Sequence, residues 1–131
     1  MARTAAEMVA EAKKRVHNLT VEEVAAEVER GDALLVDLRE PNERAQHGAI
    51  AGAVEAARWM LEFWADPSSP YHRPEFSPER RIILQCGSGA RSSLAADMLQ
   101  QMGYTNVAHL DGGFTAWKQA GKPTKEVSGS S

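Results

Sequence analysis

The stretch Arg81–Ser92 reads RIILQCGSGARS. Its first half, Arg81-Ile82-Ile83-Leu84-Gln85, has a continuous apolar centre, the pattern of a strand buried on both faces in a parallel sheet rather than one with a wet face. The strand runs straight into Cys86, followed by Gly87 and Gly89. Beyond them Leu94, Ala95, Met98, Leu99 and Met102 share one helical face, and Gly103 marks the end. A buried strand feeding a glycine-rich turn and then a helix is half of a βαβ unit, so this segment decides the fold class.

The same grammar repeats on either side. Ala33-Leu34-Leu35-Val36 is a second apolar run with a polar exit at Asp37-Leu38-Arg39-Glu40-Pro41, and Pro41 suits the first turn of a short helix through Glu43 and Arg44. Gly48 and Gly52 bracket a loop that leads to a short strand at Ala53-Val54. Downstream, Asn106–His109 reads as a strand and Phe114–Gln119 as a last helix closed by Gly121 and Pro123. Upstream, Thr20 and Glu23 stand in capping-box spacing before Val21, Val24, Ala25 and Val28, and Gly31 stops that helix. Ala2 to Val16 predicts an amphipathic helix with Met8, Val9, Ala12 and Val16 on one side; the run Lys13-Lys14-Arg15 is read as its solvated face. The expected organisation is a helical extension over 1–18, one domain over 19–123 and a disordered tail over 124–131 that ends Ser-Gly-Ser-Ser. Strands alternating with helices imply a mainly parallel sheet covered on both faces, with ligands beyond the carboxyl ends of the strands, where Asp37 and Cys86 fall.

Composition agrees with one ordinary domain. The 131 residues are 43% hydrophobic and 25% charged, enough to bury a core without a metal or disulfide staple. Fifteen basic and eighteen acidic side chains leave a net charge of −3, which offers no broad positive face, so nucleic acid is not expected as a partner. Glu7 and Glu11 interrupt the alanine-rich start, and the apolar runs are too short for a signal peptide or membrane span, so no membrane association is expected. The single cysteine rules out an intrachain disulfide and suits a cytoplasmic chain with a free thiol. His17, His72 and His109 lack ligand-like spacing, so no metal and no other cofactor is expected.

Cys86-Gly87-Ser88-Gly89-Ala90-Arg91-Ser92 lies where backbone N–H groups can converge at a helix start and cradle an anion. Gly87 and Gly89 would supply positive φ and close approach. Free cysteine has a pKa of about 8.5, lowered to about 3.5–7.5 at helix N-termini or beside cations, so Cys86 is expected as a thiolate nucleophile. The bland alternative is a small buried hydrophobe at a strand end. Arg91 is read as a wall of the cradle or an anion contact, against a surface ion pair at a helix start; Ser88 and Ser92 are read as hydroxyl donors to a bound oxyanion or to the sulfur, with Ser92 equally suited to serving the first helical turn. The nucleophile reading requires a sulfur that solvent can reach.

These residues, with Leu35-Val36-Asp37-Leu38-Arg39, Gly48-Ala49-Ile50-Ala51-Gly52-Ala53 and Leu110-Asp111-Gly112-Gly113-Phe114-Thr115-Ala116-Trp117, make the chain resemble the rhodanese-like sulfurtransferases from about Leu19 to Pro123. The resemblance implies an α/β rhodanese-like fold, a central parallel sheet of about five strands flanked by helices on both faces. It also implies that Cys86 takes a sulfane sulfur from a small donor such as thiosulfate or a persulfide. The sulfur then passes to a thiol or cyanide acceptor, with a sulfur-relay protein as a further partner. Four residues separate Cys86 from Arg91, the sulfurtransferase spacing, whereas the related phosphatases of this fold have one more. Two departures matter: Gly87 stands where many thiosulfate users carry a basic residue, which weakens the case for thiosulfate, and Glu55 stands where asparagine is frequent. His47 is displaced from the usual Gly-His-Ile position and is given no catalytic role.

Asp37 and Arg39 are read either as support for the Cys86 loop or as a turn aspartate and a solvated arginine. Asp111-Gly112-Gly113 is read as the start of the last helix and Trp117 as its core anchor. Trp59 to Phe76 holds Trp59, Phe63, Trp64, Tyr71 and Phe76 and reads as an irregular connection pinned by aromatic packing; the sharper alternative is a lid with Arg58 facing substrate. A persulfide carrier or docking module of the same fold, and a phosphatase or arsenate reductase, are the competing functions.

Overall fold

A computed structural model describes residues 2–128. Five strands, β1 (His17–Leu19), β2 (Leu34–Asp37), β3 (Val54–Glu55), β4 (Ile82–Gln85) and β5 (Val107–Leu110), form one sheet in the order β1-β5-β4-β2-β3, with every pairing parallel. Six helices accompany them among the described residues: α1 (Ala5–Arg15), α2 (Val21–Arg30), α3 (Pro41–His47), α4 (Leu61–Ala65), α5 (Ala90–Gln101) and α6 (Gly113–Gln119). The α/β architecture expected from the sequence is the one observed.

Strand periodicity divides the core. Leu34, Val36, Ile82, Leu84 and Val107 face one layer, packed with Leu61 and Ala65 of α4 and with Ala95, Ala96 and Leu99 of α5. Leu35, Ile83, Ala108 and Leu110 face the other, against Val21 and Val24 of α2 and Phe114 and Trp117 of α6. Because both faces are covered, each central strand is apolar throughout, as its sequence shows.

The local signals act as read at α2. Thr20 and Glu23 complete a capping box, and Gly31 ends the helix at φ 75° in the left-handed region. Helix α1 starts at Ala5 rather than Ala2, because Thr4 and Glu7 form a second capping box. Its buried residue is Ala12, followed by buried Val16 at the C-cap, whereas Met8 is exposed.

The sequence reading missed β1. His17-Asn18-Leu19 is too short and too polar to announce a strand, and it is specified by pairing with β5, in register His17 with Ala108 and Leu19 with Leu110. The chain before residue 19 therefore contributes a strand to the sheet as well as a helix. Past Pro123, Ala49 and Lys125 exchange backbone hydrogen bonds of 2.9 and 2.8 Å. Residues 129–131 of the expected tail lie outside the described residues.

In the segment from Trp59 to Phe76, Phe76 is fully buried and Trp64 packs on the core, with the Arg73 guanidinium 5.0 Å above the Trp64 ring. Trp59, Phe63 and Tyr71 remain exposed. Among the described residues no helix is long and apolar enough to cross a membrane.

Candidate active site

Register brings the chemistry to one edge. Asp37 pairs with Gln85 at the carboxyl ends of β2 and β4, and the Leu38 N–H donates to the Gln85 carbonyl at 2.8 Å, so the chain turns off the sheet at Cys86 beside the exit of β2. The turn Gly87–Gly89 then curls over the sulfur. The Gly89 N–H donates to Cys86 Sγ at 3.2 Å and the Ser92 N–H at 3.3 Å. The expected convergence of amides is therefore centred on the sulfur itself.

The two glycines act differently. Gly89 caps α5 at φ 100°, a left-handed conformation that disfavours any side chain, and a Cβ there would lie 3.0 Å from the Gly112 nitrogen. Gly87, expected to need positive φ, does not adopt it. It leaves room instead, since a Cβ at Gly87 would lie 3.1 Å from Arg91 Nη2. Ser88 is exposed on the crest, and Ala90 is half-buried as the first residue of α5.

Arg91 sits beside the turn on the first turn of α5. Its guanidinium lies against Gly87 and also forms a two-pronged ion pair with Glu43 of α3, at 2.8 Å on each prong. That hydrogen-bonded guanidinium, aided by the Glu40 backbone N–H, draws the Glu43 carboxyl down to about 2. Ser92 is fully buried and places its backbone N–H on the sulfur, with its hydroxyl 3.5 Å from Sγ.

Cys86 itself is 0% exposed. The reachable sulfur that the sequence reading required is therefore absent from this conformation, in which the start of α6 pins the turn. The Phe114 N–H donates to the Cys86 carbonyl at 2.7 Å and the Thr115 N–H to the Gly87 carbonyl at 3.0 Å. Gly113, at φ 62°, presses so close that a Cβ would sit 2.6 Å from the Cys86 and Gly87 carbonyl oxygens. The Gly112-Gly113 pair thus belongs to the loop's support as well as to the start of α6, a role the sequence reading did not give it.

Asp37 and Arg39 are neither solvated nor bonded to the Cys86 turn. Asp37, fully buried, receives Arg39 Nη2 at 2.9 Å and Arg44 Nε at 2.9 Å, and Arg44 continues to Glu55 at 2.9 Å. Arg39 donates to the Gly48 carbonyl at 2.8 Å and lies 4.2 Å above the ring of Phe114, the residue whose N–H holds the Cys86 carbonyl. Arg58 has its guanidinium on Glu62 at 2.8 Å. A cleft of about 420 Å³ opens beside Gly87 between Arg39, Glu43, His47, Phe114 and Lys118; Arg58 is not part of its lining. Of these residues, Glu43 was missed because nothing local marks the partner of an arginine 48 residues away.

Comparison with known proteins gives the same result from another side. The family model for the rhodanese-like domain matches residues 20–120. A sulfurtransferase of Allochromatium vinosum is 38% identical over 92 residues, which cover 70% of this chain and 78% of that protein. A solved protein of unknown function from Rhodopseudomonas palustris, described as a possible tyrosine phosphatase, superposes with TM-score 0.91 and 40% identity over 95% of this chain and 96% of the other. The polysulfide-sulfur transferase homodimer of Wolinella succinogenes gives TM-score 0.74 and 25% identity over 92% of this chain and 85% of the other. With its parallel sheet, its Cys86 turn and a family match across most of its length, the chain belongs to the rhodanese-like domain family.

Proposed function

We propose that the chain is a sulfurtransferase in which Cys86 carries the sulfur. The observation that supports this best is the pair of N–H donors from Gly89 and Ser92 on Sγ, since both stabilise the negative charge that atom carries as the attacking thiolate and regains when the sulfur is handed on. In the loading step the Cys86 thiolate attacks the outer sulfur of a donor such as thiosulfate or a small persulfide. A sulfur–sulfur bond forms at Sγ, and the donor's own bond breaks with its electron pair leaving on sulfite or thiolate. In the second step an acceptor thiolate or cyanide attacks the outer sulfur, and the electron pair of the breaking bond returns to Sγ.

Because Sγ lies beneath the turn, loading requires the turn to part on the cleft side at Gly87. An anionic donor there competes with Glu43 for Arg91. The similarity to a sulfurtransferase and a polysulfide-sulfur transferase supports sulfur as the element carried.

The description of the Rhodopseudomonas relative favours one competing reading, phosphoryl transfer. Against it, only four residues separate Cys86 from Arg91, and the amides converge on the sulfur rather than on a space beyond it. Mass spectrometry after treatment with thiosulfate or polysulfide should show one added sulfur on the wild-type chain and none on Cys86→Ser, which should also lose turnover. Retained turnover in Cys86→Ser, or substantial hydrolysis of an aryl phosphate by the wild type, would overturn the proposal.

A further inference from the structure

One buried imidazole lies close to Cys86 and takes no part in the mechanism above. Parallel register sets Leu84 of β4, His109 of β5 and Asn18 of β1 side by side, and strand alternation then directs His109 to the α5 face of the sheet, as it does Cys86 two residues beyond Leu84. His109 is fully buried there. Its Nδ1 lies 2.8 Å from Ser92 Oγ, its Nε2 lies 2.7 Å from Asn18 Oδ1, and Ser92 Oγ lies 3.5 Å from Cys86 Sγ. Four side chains thus form one line from the sulfur toward the surface.

The line has a direction. Asn18 uses its amide nitrogen on the Lys13 and Val16 carbonyls, at 2.9 and 3.3 Å, so an oxygen, which only accepts, faces His109. Nε2 must therefore carry the imidazole proton, and Nδ1 presents a lone pair. Ser92 has one hydroxyl proton, and giving it to Nδ1 avoids leaving a buried acceptor unpaired. Ser92 then faces Cys86 with a lone pair.

Burial pushes His109 down to about 4, so the ring is neutral at physiological pH. The charges acting on it oppose one another: Lys13 of α1 and Asp111 beyond β5, which pair at 3.1 Å. The cation acting on Cys86 is Arg91 of α5, already paired with Glu43 of α3.

We propose that His109 is a positioning residue acting on Cys86 through Ser92. By holding the serine proton, it leaves an acceptor that suits the protonated sulfur and opposes charge on it. The sulfurtransferase reading supplies the consequence: discharge of a persulfide returns an electron pair to Sγ, so this arrangement slows release and keeps a loaded Cys86 loaded.

Three single variants and one double variant test it, with the thiolate fraction read by ultraviolet titration against Cys86→Ser and persulfide discharge timed with dithiothreitol after polysulfide loading. His109→Leu frees the Ser92 proton to turn to the sulfur. A hydrogen bond to a charged group predicts an about tenfold higher thiolate-to-thiol ratio at a given pH and, because only part of the charge has reached Sγ in the transition state, an about threefold faster discharge. His109→Asn, which keeps an acceptor near the place of Nδ1, should behave as wild type. Ser92→Ala removes the lone pair and should raise the thiolate fraction about threefold; in that background His109→Leu should add nothing.

Less thiolate in Ser92→Ala would show the hydroxyl donating to sulfur and overturn the proposal, as would an unchanged or reduced fraction in a folded His109→Leu. If the wild type transfers no sulfur at all, the sulfurtransferase reading fails, while the titrations still decide the role of His109.

Discussion

Replacing Gly113 by alanine tests how the Cys86 turn is held. The new Cβ would lie 2.6 Å from the Cys86 carbonyl oxygen and from the carbonyl carbon and oxygen of Gly87, all of them backbone atoms that cannot swing aside. Overpacking of this kind costs about 1–3 kcal/mol. The residue must also keep φ near 62°, where a side chain adds about 1 kcal/mol. Gly113→Ala should therefore unfold about 2–4 kcal/mol more easily in urea. Gly121 provides the control, because it has φ 74° with nothing within 4 Å of its would-be Cβ, so Gly121→Ala should lose only the conformational part, about 1 kcal/mol. The folded fraction of Gly113→Ala should also fail to load sulfur, since relief of the clash pulls the Cys86 and Gly87 carbonyls off the Phe114 and Thr115 amides. Equal losses in the two variants, within about 0.5 kcal/mol, would refute the claim that α6 clamps the turn by close backbone contact.

Two further predictions concern the charges around the site. Asp37→Ala strips the shared carboxylate from two buried guanidiniums, Arg39 and Arg44, and should cost about 3–5 kcal/mol in urea unfolding; a change below 1 kcal/mol on the same rough scale would mean that both side chains readily reach water. Glu43 is held at about 2, below its ordinary 4.5, so its pairing stabilises the fold above about 4.5 and loses that contribution as pH falls toward about 2. Arg91 is partly exposed, so solvent screening reduces the effect to the order of 1 kcal/mol, and Glu43→Gln should flatten that acid limb in unfolding measured across pH.

Local rules were enough for much of this molecule. Apolar runs at Leu34–Val36 and Ile82–Leu84, the capping box at Thr20 and the stop at Gly31 depend on neighbours in the chain, and those are written consecutively. The position of Cys86 between a strand and a helix follows from the same reading. Tertiary structure decided the rest, because the decisive partners are far apart in sequence. Strand β1 exists by pairing with β5, Arg91 finds Glu43, and Gly113 comes to rest on the Cys86 turn. His109 shows the distinction best. As one polar residue inside an apolar strand it has no motif, and its meaning arises only when parallel register places it between Asn18 and the helix that carries Ser92. A sequence specifies which side chains a strand will present to each face, but the geometry of hydrogen bonding between strands decides which of them meet.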